Sequence, residues 1–89
     1  MKEVFTTTQY RRDFKRYKGD VKKLKALERI VDMLRRGESL PPNAREHPLH
    51  GEYEGCLECH VGGNFLLVWV EDDSILLVRL GTHHELFGL

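Results

Sequence analysis

Two runs near the C-terminus, "NFLLVWV" and "SILLVRLG", are almost continuously apolar and are separated only by "EDDS". Runs of this length, rich in Val, Leu and Ile and bounded by turn residues, read as β-strands, and the short acidic connection folds them into a hairpin. Strands that are apolar on both faces fit the centre of a sheet, covered by helices on one face and partly enclosed on the other. The rest of the chain has to provide that cover.

The segment "KEVFTTT" has the β-branched and aromatic content of a strand. Thr7 or Thr8 is placed to cap a helix starting near residue 8. Tyr10, Phe14 and Tyr17 fall at i, i+4 and i+7, one apolar stripe. Gly19 is expected to close this helix and Asp20 to cap the next. From Val21 onward Leu24, Leu27, Val31 and Leu34 recur at helical spacing until Gly37, so a second amphipathic helix completes a helical hairpin. The stretch "GESLPPNAREHPLHG" carries all three prolines and reads as an ordered loop, while "YEGCLECHV" opens a meander that ends in the two apolar runs. These elements predict a single α+β domain over residues 1–89. In it, a helical hairpin packs on a mostly antiparallel four-stranded sheet in the order βααβββ, with a short C-terminal helical turn.

Formal charge is balanced, with 14 basic and 14 acidic residues, but the balance hides a separation. Residues 1–36 carry a net charge of +7 and residues 37–89 a net charge of −7, and all five histidines lie in the second part. On the helical hairpin, Arg11, Arg12, Lys15, Arg16, Lys22, Lys23 and Lys25 make a surface suited to a polyanion or an acidic partner, or else a solvated helix face. No apolar run approaches the ~20 residues needed to cross a bilayer, and the polar N-terminus does not read as a signal peptide, so no membrane partner is expected and the cytoplasm is the expected location. The two cysteines, Cys56 and Cys59, are expected to remain thiols there.

Alternation along "CLECHV" puts Cys56, Glu58 and His60 on one face and Leu57, Cys59 and Val61 on the other, against the helices. Arg79 joins Glu58 and His60 if the register of the meander carries it to their side, and His83, just past the strand, folds back over the same rim. Such a set suits phosphodiester cleavage without a metal. A base takes the proton of a ribose 2′-hydroxyl, an acid protonates the leaving 5′-oxygen, and arginine offers a planar fork to the phosphoryl oxygens. Phe87 is an aromatic surface for an unpaired base. A Cys₂His₂ zinc site from Cys56, Cys59, His60 and His83 is the alternative if the strand assignment fails, because an offset of three along a strand sends the thiols to opposite faces.

Taken together, "EHPLHG", "CLECHV" and "LLVRLGTHHELFG" after a helical hairpin resemble the RelE superfamily of bacterial toxins, in particular its YafQ-like branch. The resemblance implies a RelE-like fold and an mRNA interferase that cuts mRNA on the ribosome without metal or other cofactor. Its implied partners are mRNA, ribosomal RNA and a cognate antitoxin with an acidic toxin-binding segment, and operator DNA only indirectly through the antitoxin complex. It points to His47, Glu58, His60, Arg79 and His83 as catalytic, with Asn64, Phe65 and Phe87 positioning substrate. The chain departs from the branch at "GGNF", where a Pro-Asp pair is usual. Asn64 keeps hydrogen-bonding capacity but exchanges no proton as an acid, so a binding-only relative is the second reading.

Overall fold

The structure, a computed structural model, describes residues 1–88. Strand β1 (Val4–Thr6) leads into α1 (Thr8–Lys15), capped by the Thr7 side chain, which accepts from the Tyr10 amide at 2.9 Å. Helix α2 (Val21–Arg35) starts at Asp20, whose carboxylate accepts from the Lys23 amide, and ends where Gly37 takes a left-handed φ of 73°. Helix α1 stops four residues earlier than the sequence suggests. The Arg16, Tyr17 and Lys18 amides bond back three residues instead of four, which tightens the chain so that Asp20 reaches its capping position.

Among the described residues five strands, not four, form the sheet, in the order β1-β5-β4-β3-β2. The addition is β2 (His47–Pro48), a two-residue strand within the proline-rich segment that pairs antiparallel with β3 (Leu57–Gly62), placing His47 opposite Glu58. Short turns at Pro42–Ala44 and Gly51–Tyr53 flank β2. The apolar runs form β4 (Phe65–Glu71) and β5 (Ile75–Thr82), paired antiparallel, and β1 lies parallel along β5. Helix α3 (His83–Phe87) follows directly, held by a capping box between Thr82 and Glu85.

The helices cover one face of the sheet. There Leu27, Ile30 and Leu34 of α2 and Tyr10 of α1 pack on Cys59, Phe65, Leu67, Trp69, Ile75, Leu77 and Leu80. As alternation predicts, Leu57, Cys59 and Val61 belong to this cluster. The opposite face carries a smaller cluster, Cys56, Leu66, Val68 and Leu86, flanked by Leu49, Tyr53 and Phe87. The two thiols therefore sit in separate cores. Burial pushes the Cys59 thiol up to about 12. Both cysteines are free and buried.

Candidate active site

A single transverse row crosses four strands on the face away from the helices. His47 on β2 stands opposite Glu58 on β3, Glu58 opposite Val68 on β4, and Val68 opposite Arg79 on β5. Plain alternation would have turned Arg79 to the helix side with Ile75 and Leu77. A break in the β4–β5 register between Val68 and Trp69 inserts Val78 as an extra residue and re-aims Arg79 to the far face. Two strand spacings, about 10 Å, separate the Arg79 and Glu58 backbones.

Arg79 is fixed by a residue that the sequence reading did not single out. Its Nε donates to Asp13 Oδ2 at 2.8 Å and its Nη2 to Asp13 Oδ1 at 3.3 Å, while Nη1 donates to the Tyr53 hydroxyl at 2.9 Å. Asp13 is completely buried and also accepts from the Leu80 amide at 3.0 Å and the Gln9 side chain at 3.0 Å. Strand β1 ends at Thr6, so beyond it the outer amides of β5 have no partner strand, and Asp13 occupies that position from α1. Burial pushes the Asp13 carboxyl up, but the hydrogen bonds from Arg79, Leu80 and Gln9 outweigh it and hold the group below its ordinary value. The bond to Asp13 in turn raises Arg79, which stays cationic. Three of the five guanidinium N–H groups are thereby engaged, leaving one on each terminal nitrogen uncommitted.

The cluster continues through aromatic contacts. Tyr53 and Phe87 meet edge-on with ring centroids 6.0 Å apart, and His83 meets Phe87 at 5.1 Å. His83 is exposed at the start of α3, while Leu86 buries its side chain under the helix. Arg79, His83 and Phe87 are thus brought together, with Tyr53 as the link. Glu85 anchors α3. Its carboxylate accepts from the Tyr17 hydroxyl and, at 2.8 Å, from the Thr82 amide, and Arg16 lies 3.5 Å away. The bond from Tyr17 is the main cause that lowers the Glu85 carboxyl.

His47 and Glu58 form a second group. His47 Nδ1 lies 2.8 Å from the Arg45 carbonyl, which only accepts, so Nδ1 carries a proton. Its Nε2 lies 3.2 Å from Glu58 Oε1. Glu58 is 5 % exposed, and its Oε2 is buried without a hydrogen-bond partner. Glu58 is buried but His47 is exposed, so the pair meets solvent through the imidazole. His60 stands apart from both groups. Its Nδ1 is held 3.1 Å from the Gly63 carbonyl, which leaves Nε2 as the open nitrogen.

Two expected substrate-positioning residues differ in outcome. Asn64 is exposed in the β3–β4 turn. Phe65 is fully buried in the helix-side core, its ring 4.6 Å from that of Tyr17, so it has no surface to offer a substrate. Of the basic face, Arg12, Lys15, Lys22 and Lys25 are exposed with no ion pair among the described residues. Arg11 is bonded to Thr6 and Thr8, Arg16 is paired with Glu85, and Lys23 is paired with Asp20.

Residues 2–88 match the family described as the bacterial toxin of the type II toxin–antitoxin system, YafQ. The chain belongs to the YafQ family. It is 33% identical to the mRNA interferase toxin YafQ of Escherichia coli K12 over 92 residues, covering 98% of this chain and 97% of that one. Among solved structures it resembles a metal-bound toxin from Helicobacter pylori, with a TM-score of 0.88 at 33% identity over 98% of this chain and 100% of that one. It also resembles YafQ in the E. coli DinJ–YafQ toxin–antitoxin complex, with a TM-score of 0.86 at 28% identity over 98% of each chain. The YafQ fold thus accounts for the whole helical hairpin and sheet described above. No helix of the described residues is long and apolar enough to cross a membrane.

Proposed function

We propose that this chain is an endoribonuclease that inhibits translation by cutting mRNA on the ribosome, and that a cognate antitoxin with an acidic segment holds it inactive. The observation that carries the reading is the convergence of Arg79, fixed by Asp13 and Tyr53, with His83 and Phe87 at the end of β5. The reaction transfers a ribose 2′-proton to a base as the 2′-oxygen attacks phosphorus. The 5′-oxygen leaves with a proton from an acid, and a 2′,3′-cyclic phosphate remains. Arg79 faces the charge that develops on the phosphoryl oxygens, where a preorganised cation acts most strongly. His83 sits on the same rim for proton transfer, and Phe87 offers its ring to a base. His47, Glu58 and His60 supply the other proton-handling groups, and Asn64 positions substrate from the turn. The exposed cations of α1 and α2 suit both ribosomal RNA and an acidic antitoxin segment, while operator DNA would be met only through the antitoxin complex. The reading implies action in the cytoplasm, where ribosomes and mRNA meet.

The deciding experiment is cleavage of a defined mRNA by purified protein, with and without programmed ribosomes and with a chelator present, comparing wild type with His83→Ala. Ribosome-stimulated cuts that resist the chelator and disappear in the variant are expected. Cuts that the chelator abolishes would instead call for a metal, as held by the H. pylori toxin.

A further inference from the structure

On the other side of His60 lies a groove that the site described above does not use. Helix α2, the Pro42–Ala44 turn and the β3–β4 turn enclose a volume of about 490 Å³, lined by Arg29, Ile30, Met33, Asn43, Arg45 and His60 among others. No carboxylate lines it. Arg29 and Arg45 are exposed, and neither has an ion-pair partner among the described residues. By contrast Arg16, Lys23 and Arg36 each hold a carboxylate.

The backbone at Arg45 is unusual. With φ 52° and ψ 49° it is the one non-glycine residue with positive φ among those described, a conformation that glycine or asparagine adopts more readily. It persists because the Arg45 amide bonds to the Pro42 carbonyl while its own carbonyl accepts from His47 Nδ1. Arg45 therefore lines the groove, while its backbone carbonyl, which a side-chain substitution leaves in place, holds His47. His60, Val61, Gly62 and Gly63 of β3 and its turn form the opposite wall. Two guanidinium groups without ion-pair partners and the Asn43 amide, beside Ile30 and Met33, suit a phosphodiester with its attached nucleoside.

We propose that this groove binds a phosphodiester of the mRNA flanking the cleaved bond, with Arg29 and Arg45 as its cations. The inference rests on the endoribonuclease reading and adds to it a binding site outside the Arg79–His83–Phe87 cluster. Because His60 borders the groove, a strand seated there passes the candidate proton-transfer groups, which favours mRNA over ribosomal RNA as the occupant.

The test is steady-state cleavage on programmed ribosomes by wild type, Arg29→Gln, Arg45→Gln and the double variant, with Lys18→Gln as an exposed charge-loss control. All are checked for an unchanged thermal midpoint. The groove variants are expected to raise KM about tenfold when combined, with kcat and its pH profile unchanged, as loss of a remote binding contact requires. Their cosedimentation with vacant ribosomes should match wild type. Groove variants that behave like Lys18→Gln would overturn the proposal. An equal loss of binding to vacant ribosomes would assign the groove to ribosomal RNA and overturn it as well. Wild-type protein that cleaves nothing would instead refute the endoribonuclease reading and remove the basis of this one.

Discussion

On the helix-covered face of the sheet, Trp69, Phe65, Leu67, Ile75 and Leu80 are sealed completely, whereas the face beneath α3 buries Cys56, Leu66, Val68 and Leu86 and then gives way to His47, Glu58, Arg79 and Tyr53. The difference follows from what covers each side. Two amphipathic helices bring a continuous apolar surface to the first face. A five-residue helix and a loop bring little to the second, so polar side chains stand at its margin. Packing strength and chemistry are thereby assigned to opposite faces of the same strands, and substitutions should sort accordingly.

The largest expected effect is Trp69→Ala. Emptying a fully buried indole costs ~3–5 kcal/mol, much of what a domain of this size holds, so folding and toxicity should fall together. His83→Ala on the opposite face should leave the denaturation midpoint within ~0.5 kcal/mol of wild type while abolishing cleavage. Urea unfolding followed by circular dichroism checks both. If His83→Ala unfolds the protein, the division between the faces is wrong.

Asp13 joins the two faces, since it rises from a helix of the covered side to hold an arginine of the other. Asp13→Asn should cost about 2–3 kcal/mol, the scale of hydrogen bonds to a charged group, and it should reduce cleavage by letting Arg79 drift. The pH dependence sharpens this. The Asp13 carboxyl lies below its ordinary value of 3.8 in the folded protein, so its stabilisation is fully present above that value and is lost as pH falls through the lowered one. Glu85, lowered from 4.5, acts in the same direction. Chemical denaturation from neutral pH down to about pH 3 should show wild type losing stability on acidification. Asp13→Asn should start lower and decline less steeply.

Much of this arrangement was legible in the sequence. The spacing of Leu24, Leu27, Val31 and Leu34 between Asp20 and Gly37 marked α2, and period-two alternation sorted Leu57, Cys59 and Val61 from Glu58 and His60. Strand β2 was not legible, because two residues carry no periodicity and only the Glu58 and Leu57 partners define it. The side on which Arg79 emerges depends on a bulge that alternation does not encode. Asp13 did leave a trace. It falls three residues after Tyr10 on the buried side of a basic helix, where a carboxylate needs a cationic partner, and Arg79 supplies one. Phe65 shows the reverse error, since an aromatic next to a motif residue was given to substrate when its strand position points it into the core.

A smaller effect is expected at Gly81, where a Cβ would stand 2.7 Å from Glu85 Oε1. Gly81→Ala must displace that carboxylate from the Thr82 amide and from Tyr17, undoing the capping box of α3 at a cost of ~1 kcal/mol. The helix carries His83 and Phe87, so kcat should fall more than the thermal midpoint would suggest. Equal losses in both would mean that α3 merely covers Leu66 and Val68.

Tyr53→Phe is the mildest probe and separates support from chemistry. It keeps the ring against Phe87 and removes only the hydroxyl that accepts from Arg79 Nη1. Asp13 still holds the guanidinium by two bonds, so stability should change by ~0.5–1 kcal/mol at most. If Tyr53 serves only to orient Arg79, KM should rise modestly and the pH profile of kcat should not move, since no proton-transfer group has been touched. A shift in that profile would mean that the Tyr53 hydroxyl itself takes part in proton transfer, and the reactive face would then extend from α3 into the loop that precedes β3.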